Sequence, residues 1–251
     1  MKNNSVNIVL QGKGGVGKSF LSSMLAQYFL DHKKVKLNGA DTDPVNSSFA
    51  SIKRIGAAPV EILKDGTIIQ SKFDAIFEAI INEQNKTFVI DNGASTFVPM
   101  MKYIGDNDII SLFDDLKRPV YIHTVIVGGQ SQADTLQGLV SLYELLDNAK
   151  NVKLVIWLNE FQGSVNIPDD TKELVSDKTA GVITIINRNS DAFNDDLEKL
   201  TKARLTNEEA QKSSEFGLMS KNRLKKVFNE VYEQLDRLYD VEEHQGEKSP
   251  E

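Results

Sequence analysis

Residues 6–10 read VNIVL, and the ten that follow read QGKGGVGKSF. Few folds accommodate a short apolar run, a glycine-rich turn and then Lys-Ser opening an apolar-periodic segment. Gly12, Gly17, Lys18 and Ser19 satisfy the phosphate-loop pattern G-x-x-x-x-G-K-[ST] in its required strand–loop–helix setting. The glycines let backbone N–H groups converge on phosphate oxygens, and the helix that follows adds its positive N-terminus. Lys18 can reach β- and γ-phosphates, and the Ser19 hydroxyl can ligate Mg²⁺. Gly12, Lys13, Gly14, Gly15, Val16, Gly17, Lys18, Ser19 and Phe20 are therefore the expected lining of a nucleotide site. The pattern accounts for Lys18 but leaves Lys13 without a task.

The rest of the chain repeats the same alternation. Val- and Ile-rich runs at 6–10, 35–39, 87–91, 120–127, 152–158 and 182–187 are apolar on consecutive positions, as in strands buried on both faces. Between them, helical spacing predicts helices near 18–31, 71–84, 96–116, 130–147 and 191–203. This order implies an α/β fold of the P-loop NTPase kind, with a mainly parallel, doubly wound sheet flanked by helices on both faces. Sites in such sheets lie beyond the carboxyl ends of the strands. A last helix, about 219–239, puts Leu224, Val227, Phe228, Val231, Leu235 and Leu238 on one stripe. A single domain over residues 1–239 is expected, with 240–251 a disordered acidic tail.

Composition excludes more than it suggests. The chain has no cysteine, so disulfides, Cys-ligated zinc, Fe–S clusters and a thiolate nucleophile are out. A formal charge of −7 argues against a protein built as a whole to hold nucleic acid or anionic lipid. The N-terminal apolar run is too short for a secretory signal, and no stretch approaches a membrane span, so a cytoplasmic location without a membrane anchor is expected. His32, His123 and His244 show no ligand spacing. Trp157 reads as a core residue, and Lys53–Arg54 and Lys117–Arg118 as solvated faces, with direct DNA contact the lesser alternative.

The run K-G-G-V-G-K-S, residues 13–19, resembles the deviant Walker A motif of the ParA/MinD-type ATPases. The resemblance spans roughly residues 5–205, and its sharp motifs occupy about 25 positions. In that family the first lysine reaches across a dimer interface to the phosphates of the partner's ATP, which gives Lys13 a role. The stretch DTDP after the second strand is similar to the family's first switch. Asp43 would then orient the attacking water, and Asp41 would hold the Mg²⁺ shell or its waters, although Asp and Pro here also suit a simple capping turn. Asp91, ending TFVID, would take the Walker B place on the Mg²⁺ shell, with a simple strand-end cap the alternative. Asn159 and Asn187, at the ends of two later strands, correspond to places where the family contacts adenine; Asn at strand ends also simply favours turns. The resemblance favours ATP over GTP, since the chain reads NEFQ where a guanine-type N-K-x-D would stand. Phe20 in place of a second hydroxyl residue, and NGAS after Asp91, depart from the family pattern.

Within the family, the lack of cysteine excludes a reductase carrying a cluster between subunits, and a single phosphate loop excludes a tandem pump ATPase. An acidic tail argues against a basic membrane helix, and a phosphate loop beginning by residue 12 leaves no room for a preceding DNA-binding domain. The remaining resemblance is to a short plasmid-borne subgroup in conjugal transfer or stable inheritance. It implies a slow, partner-stimulated ATPase that dimerises face to face on ATP and works beside a plasmid-encoded DNA-binding or transfer protein. An ATP-dependent ligase or phosphotransferase, or a non-hydrolysing nucleotide scaffold, are the alternatives.

Overall fold

Strands rich in Val and Ile lie side by side in a seven-stranded, wholly parallel sheet, as their two-sided apolar character requires. The computed structural model describes residues 4–64, 67–116 and 118–246. The strands are β1 (Val6–Val9), β2 (Leu37–Asp41), β3 (Ala58–Pro59), β6 (Thr87–Asp91), β7 (Val120–Val127), β8 (Val152–Asn159) and β9 (Thr179–Ile185), in the order β3-β2-β6-β1-β7-β8-β9. Two further short strands, β4 (Leu63–Lys64) and β5 (Thr67–Ile68), form a separate antiparallel hairpin. The helices are α1 (Lys18–Gln27), α2 (Ser71–Asn82), α3 (Phe97–Asp106), α4 (Ile109–Asp114), α5 (Gln132–Leu145), α6 (Asp169–Val175), α7 (Asp191–Ala203), α8 (Asn207–Lys212) and α9 (Leu218–Gly246).

Alternation along each strand divides the interior in two. On β7, Tyr121, Val125 and Val127 join α1, α7, α8 and α9 on one face, while Val120, Ile122 and Ile126 join α2 to α6 on the other. The expected stripe of α9 is buried: Leu224, Val227, Phe228, Val231, Leu235 and Leu238 all enter the first of these cores. β1 lies between β6 and β7: the chain leaves it through α1 for β2 on the β6 side, and later crosses from β6 to β7 on its other side. The crevice at its carboxyl end is where such sheets place a ligand.

Several elements differ from expectation. The helix expected at 96–116 is two helices, broken at Asn107–Asp108, where Asp108 adopts φ 51°; Asp tolerates this left-handed conformation better than most residues, and Ser111 Oγ donates to its carboxylate. β2 starts two residues later than expected, and β9 three residues earlier, through Thr-Ala-Gly, whose small side chains carry no apolar signal. The short elements β3, β4, β5, α6 and α8 have too few residues for a periodic pattern. α9 continues past residue 239 to Gly246, since Val-Glu-Glu-His-Gln contains no helix breaker; the last residues of the expected tail lie outside the described ones. Arg118 is not on a solvated face: it is buried and donates to the carbonyls of Asn4, Ile80, Glu83 and Lys86. Lys117 lies outside the described residues. Trp157 is fully buried, and its Nε1 donates to His123 Nδ1 at 3.0 Å.

Candidate functional site

The residues 11–19 turn at the carboxyl end of β1, and Gly17 makes the turn possible. It is the residue before α1, with φ 96°, and a Cβ there would lie 2.9 Å from Asn159 Nδ2. Lys18 is buried and folds back onto the loop, its Nζ donating to the Lys13 carbonyl at 2.9 Å. Burial pushes its ammonium below the usual lysine range, while the charges of Asp91 and Asp43 pull it back up. Lys13 is placed quite differently. Its side chain is partly exposed and leaves the loop for α5, where Nζ meets Asp134 Oδ2 at 2.7 Å.

Parallel pairing sets Asp41 directly beside Asp91. Burial pushes Asp91 up to about 7, against the hydrogen bonds of Ser19 and Ser22 and the charge of Lys18; the neighbouring Asp41 adds to the rise. Ser22 Oγ donates to Asp91 Oδ1 at 2.7 Å. Asp41 is buried too, and burial raises it against backbone hydrogen bonds. Its oxygens accept the N–H groups of Asp43 at 3.0 Å and Ala50 at 2.9 Å, so it pins the loop after β2. Asp43 in turn caps the next turn, Oδ1 accepting Val45 N at 2.9 Å and Asn46 N at 3.0 Å. The capping reading of DTDP thus describes what these carboxylates touch.

NGAS has its own logic. The Asn92 side chain accepts from the hydroxyls of Thr42, at 2.8 Å, and Thr96, at 2.9 Å, tying the loops after β2 and β6 together. At Gly93 a Cβ would lie 2.9 Å from the Asp43 Cα, so a residue without a side chain lets the two loops meet. Gln11 braces the phosphate loop from the other side, its Nε2 donating to Thr124 Oγ1 and the carbonyls of Val125 and Thr135. Sequence reasoning missed Gln11, Asn92 and Asp134, since each lies outside the motif and acts through a partner distant in sequence.

These loops, with α1, residues 200–205 and Phe228 of α9, wall a cleft of about 750 Å³. It contains Gly14, Gly15, Gly17, Lys18, Ser19 and Phe20 from the phosphate loop, Asp43 from the β2 loop and Ala94–Ser95 from the β6 loop. Asn159 and Asn187 are not among its walls. Asn159 Nδ2 instead donates to the Val16 carbonyl at 3.0 Å, and its Oδ1 accepts Phe161 N. Asn187 Oδ1 accepts Asn189 N at 2.8 Å within its own turn. Gly12 packs against the Phe97 ring.

The domain pattern of the CobQ/CobB/MinD/ParA nucleotide binding domain matches residues 8–242. The chain belongs to this family. Two relatives from Escherichia coli, both called Protein TraL, are 33% and 32% identical to it over 237 residues, covering 92% of this chain and 97% of each relative. Among solved structures, the MinD cell division protein of Aquifex aeolicus has a TM-score of 0.53 at 17% identity, over 92% of this chain and 96% of that one. A ParA family ATPase from Chlorobium tepidum TLS has a TM-score of 0.53 at 14% identity, over 94% and 100%. These two likenesses establish the fold. Among the described residues, no helix is long and apolar enough to cross a membrane.

Proposed function

We propose that this member of the MinD/ParA family is an ATP-hydrolysing switch that joins two copies face to face when ATP is bound. The observation that carries the reading is the contrast between its two lysines. Lys18 is buried against its own loop, whereas Lys13 is held out on Asp134, where a second copy can receive it. In this reading the N–H groups of Gly14 to Ser19 and the Lys18 ammonium bind the phosphates of one chain's ATP. Lys13, once off Asp134, places a cation beside the partner's phosphates, where finger-type contacts from arginine are worth roughly 10³–10⁵ in rate.

The donor set fits a magnesium ion: the Ser19 hydroxyl sits on the Asp91 carboxylate, and both are hard oxygen donors. Bound there, the ion would neutralise charge on the phosphoryl oxygens. Asp41, with both oxygens on backbone N–H groups, contributes negative charge to the ion's outer shell and fixes the loop that carries Asp43. Asp43 orients water after its capping bonds to Val45 and Asn46 yield. Asn159 and Asn187 reach adenine only if they leave their present partners. The likeness to TraL supports a cytoplasmic role in plasmid transfer or inheritance, beside a plasmid-encoded DNA-binding or transfer protein.

The test is turnover against protein concentration. Wild-type turnover per chain should rise with concentration, and Lys13→Ala should bind ATP normally but lose turnover at every concentration. Full, concentration-independent turnover by Lys13→Ala would refute the reading.

A further inference from the structure

The sheet ends at β9, and one of its faces there is uncovered. Val182 and Ile186 have the same parity, the second just past the strand end, and they remain 49% and 55% exposed. Pairing of β8 with β9 sets Leu158 opposite Thr184 on the same face. Phe161, 49% exposed, follows in the turn after β8, and that turn accepts Asn187 N on Glu160 Oε2. Apolar side chains gathered at one place on a surface mark a docking site more often than a defect.

Two observations select the occupant. First, a strand adding along the edge is stopped at Thr184, whose edge groups α9 has already taken: Gln234 Oε1 accepts Thr184 N at 2.8 Å, and Gln234 Nε2 donates to Thr184 O at 3.0 Å. A helix laid on the sheet face needs no free edge groups. Second, residues 160–187 carry five carboxylates, Glu160, Asp169, Asp170, Glu173 and Asp177, against two lysines. Lys172 pairs with Asp169, which leaves four carboxylates against Lys178, whose Nζ donates to the Ala149 carbonyl. The complement is a basic partner.

We infer that the β8–β9 face, centred on Phe161, Val182 and Ile186, docks a basic amphipathic helix of a partner protein. The same turn touches the phosphate loop: Gln162 Nε2 donates to the Gly15 carbonyl at 2.9 Å, and Asn159 Nδ2 to that of Val16. Occupation of the face therefore acts on the loop that holds phosphate. This coupling rests on the nucleotide reading; the docking itself does not.

A fluorescein-labelled Leu/Lys amphipathic helix of about 18 residues, with a Leu/Glu helix of the same pattern, supplies the probe. Anisotropy with nucleotide-free protein should show the Leu/Lys helix bound and the Leu/Glu helix not. Ile186→Asp and Val182→Asp should each weaken binding at least about tenfold, even though each adds a negative charge. Leu218→Asp, at a more exposed apolar residue at the start of α9, should leave it unchanged. Equal binding to wild type and Ile186→Asp would show attraction to net charge alone and overturn the proposal. So would wild-type self-association that Ile186→Asp abolishes, since a second copy would then be the occupant. With docking established, the helix should change affinity for a fluorescent ATP analogue several-fold in wild type and not in Gln162→Ala; no change in wild type would overturn the coupling alone.

Discussion

Two polar clusters are buried in the same sheet, a few residues apart, and they are built on opposite terms. In the middle of the sheet, Asn7, His123, Trp157 and Tyr239 form a chain of neutral partners. Trp157 donates to His123 Nδ1, His123 Nε2 faces Asn7 Oδ1 at 3.1 Å, Tyr239 donates to Asn7, and Asn7 Nδ2 donates to Ser5 and the Phe88 carbonyl. At the carboxyl end, Lys18, Asp91 and Asp41 are ionisable groups that burial works against. The first cluster is matched within itself and fixes β1, β7, β8 and α9 against one another. The second holds potential that only a ligand can use. Matched neutral groups serve the fold, and ionic groups held against desolvation serve a site.

Replacing Lys18 by Ala separates the two most sharply. Affinity for a fluorescent ATP analogue should fall at least about 100-fold, since a charge-assisted phosphate contact is lost, while the urea midpoint of the nucleotide-free protein should hold or rise. His123→Ala should do the reverse. It leaves Trp157 Nε1 unpaired, Asn7 Oδ1 with Tyr239 alone, and opens a cavity, so about 2 kcal/mol of stability should be lost in urea titration, with nucleotide affinity unchanged.

The clusters should also respond oppositely to pH when no nucleotide is bound. Burial pushes His123 down to about 3, so the folded state binds fewer protons than the unfolded one, and stability falls as pH drops from about 6.5 towards 3. Asp91 is pushed up to about 7, so the folded state binds more protons, and stability falls as pH rises from about 4 to 7. Asp91→Asn should remove the second trend and stabilise the nucleotide-free protein at pH 7 by on the order of 1 kcal/mol, read from denaturation curves across pH. Gly93→Ala should have the smallest effect. The added Cβ pushes the Asp43 backbone, and turnover should fall about threefold with little loss of phosphate affinity, a cost near 1 kcal/mol or less.

The glycine-rich loop, the strand ending in Asp91 and the two-faced sheet were legible because each is local: a motif at fixed spacing, or an apolar run. β7 and α7 begin and end where their patterns do. What was not legible depends on meetings between distant residues. Nothing around Asp134 marks it as the seat of Lys13, and nothing in NGAS marks Asn92 as the tie between two loops. His123 shows no ligand spacing in sequence, and in the fold its ring is enclosed between Asn7 and Trp157. Asn159 at a strand end was readable, but its bond to the Val16 carbonyl, rather than a place in the cleft wall, was not.

The claim that Lys13 serves a second chain predicts a particular assembly, and sedimentation of Asp43→Ala with ATP and Mg²⁺ tests it. If Asp43 orients the attacking water as proposed, its loss should let the ATP-bound state persist, and the protein should sediment as a dimer with ATP and as a monomer without it. A monomer under both conditions, with ATP shown to be bound, would contradict the account.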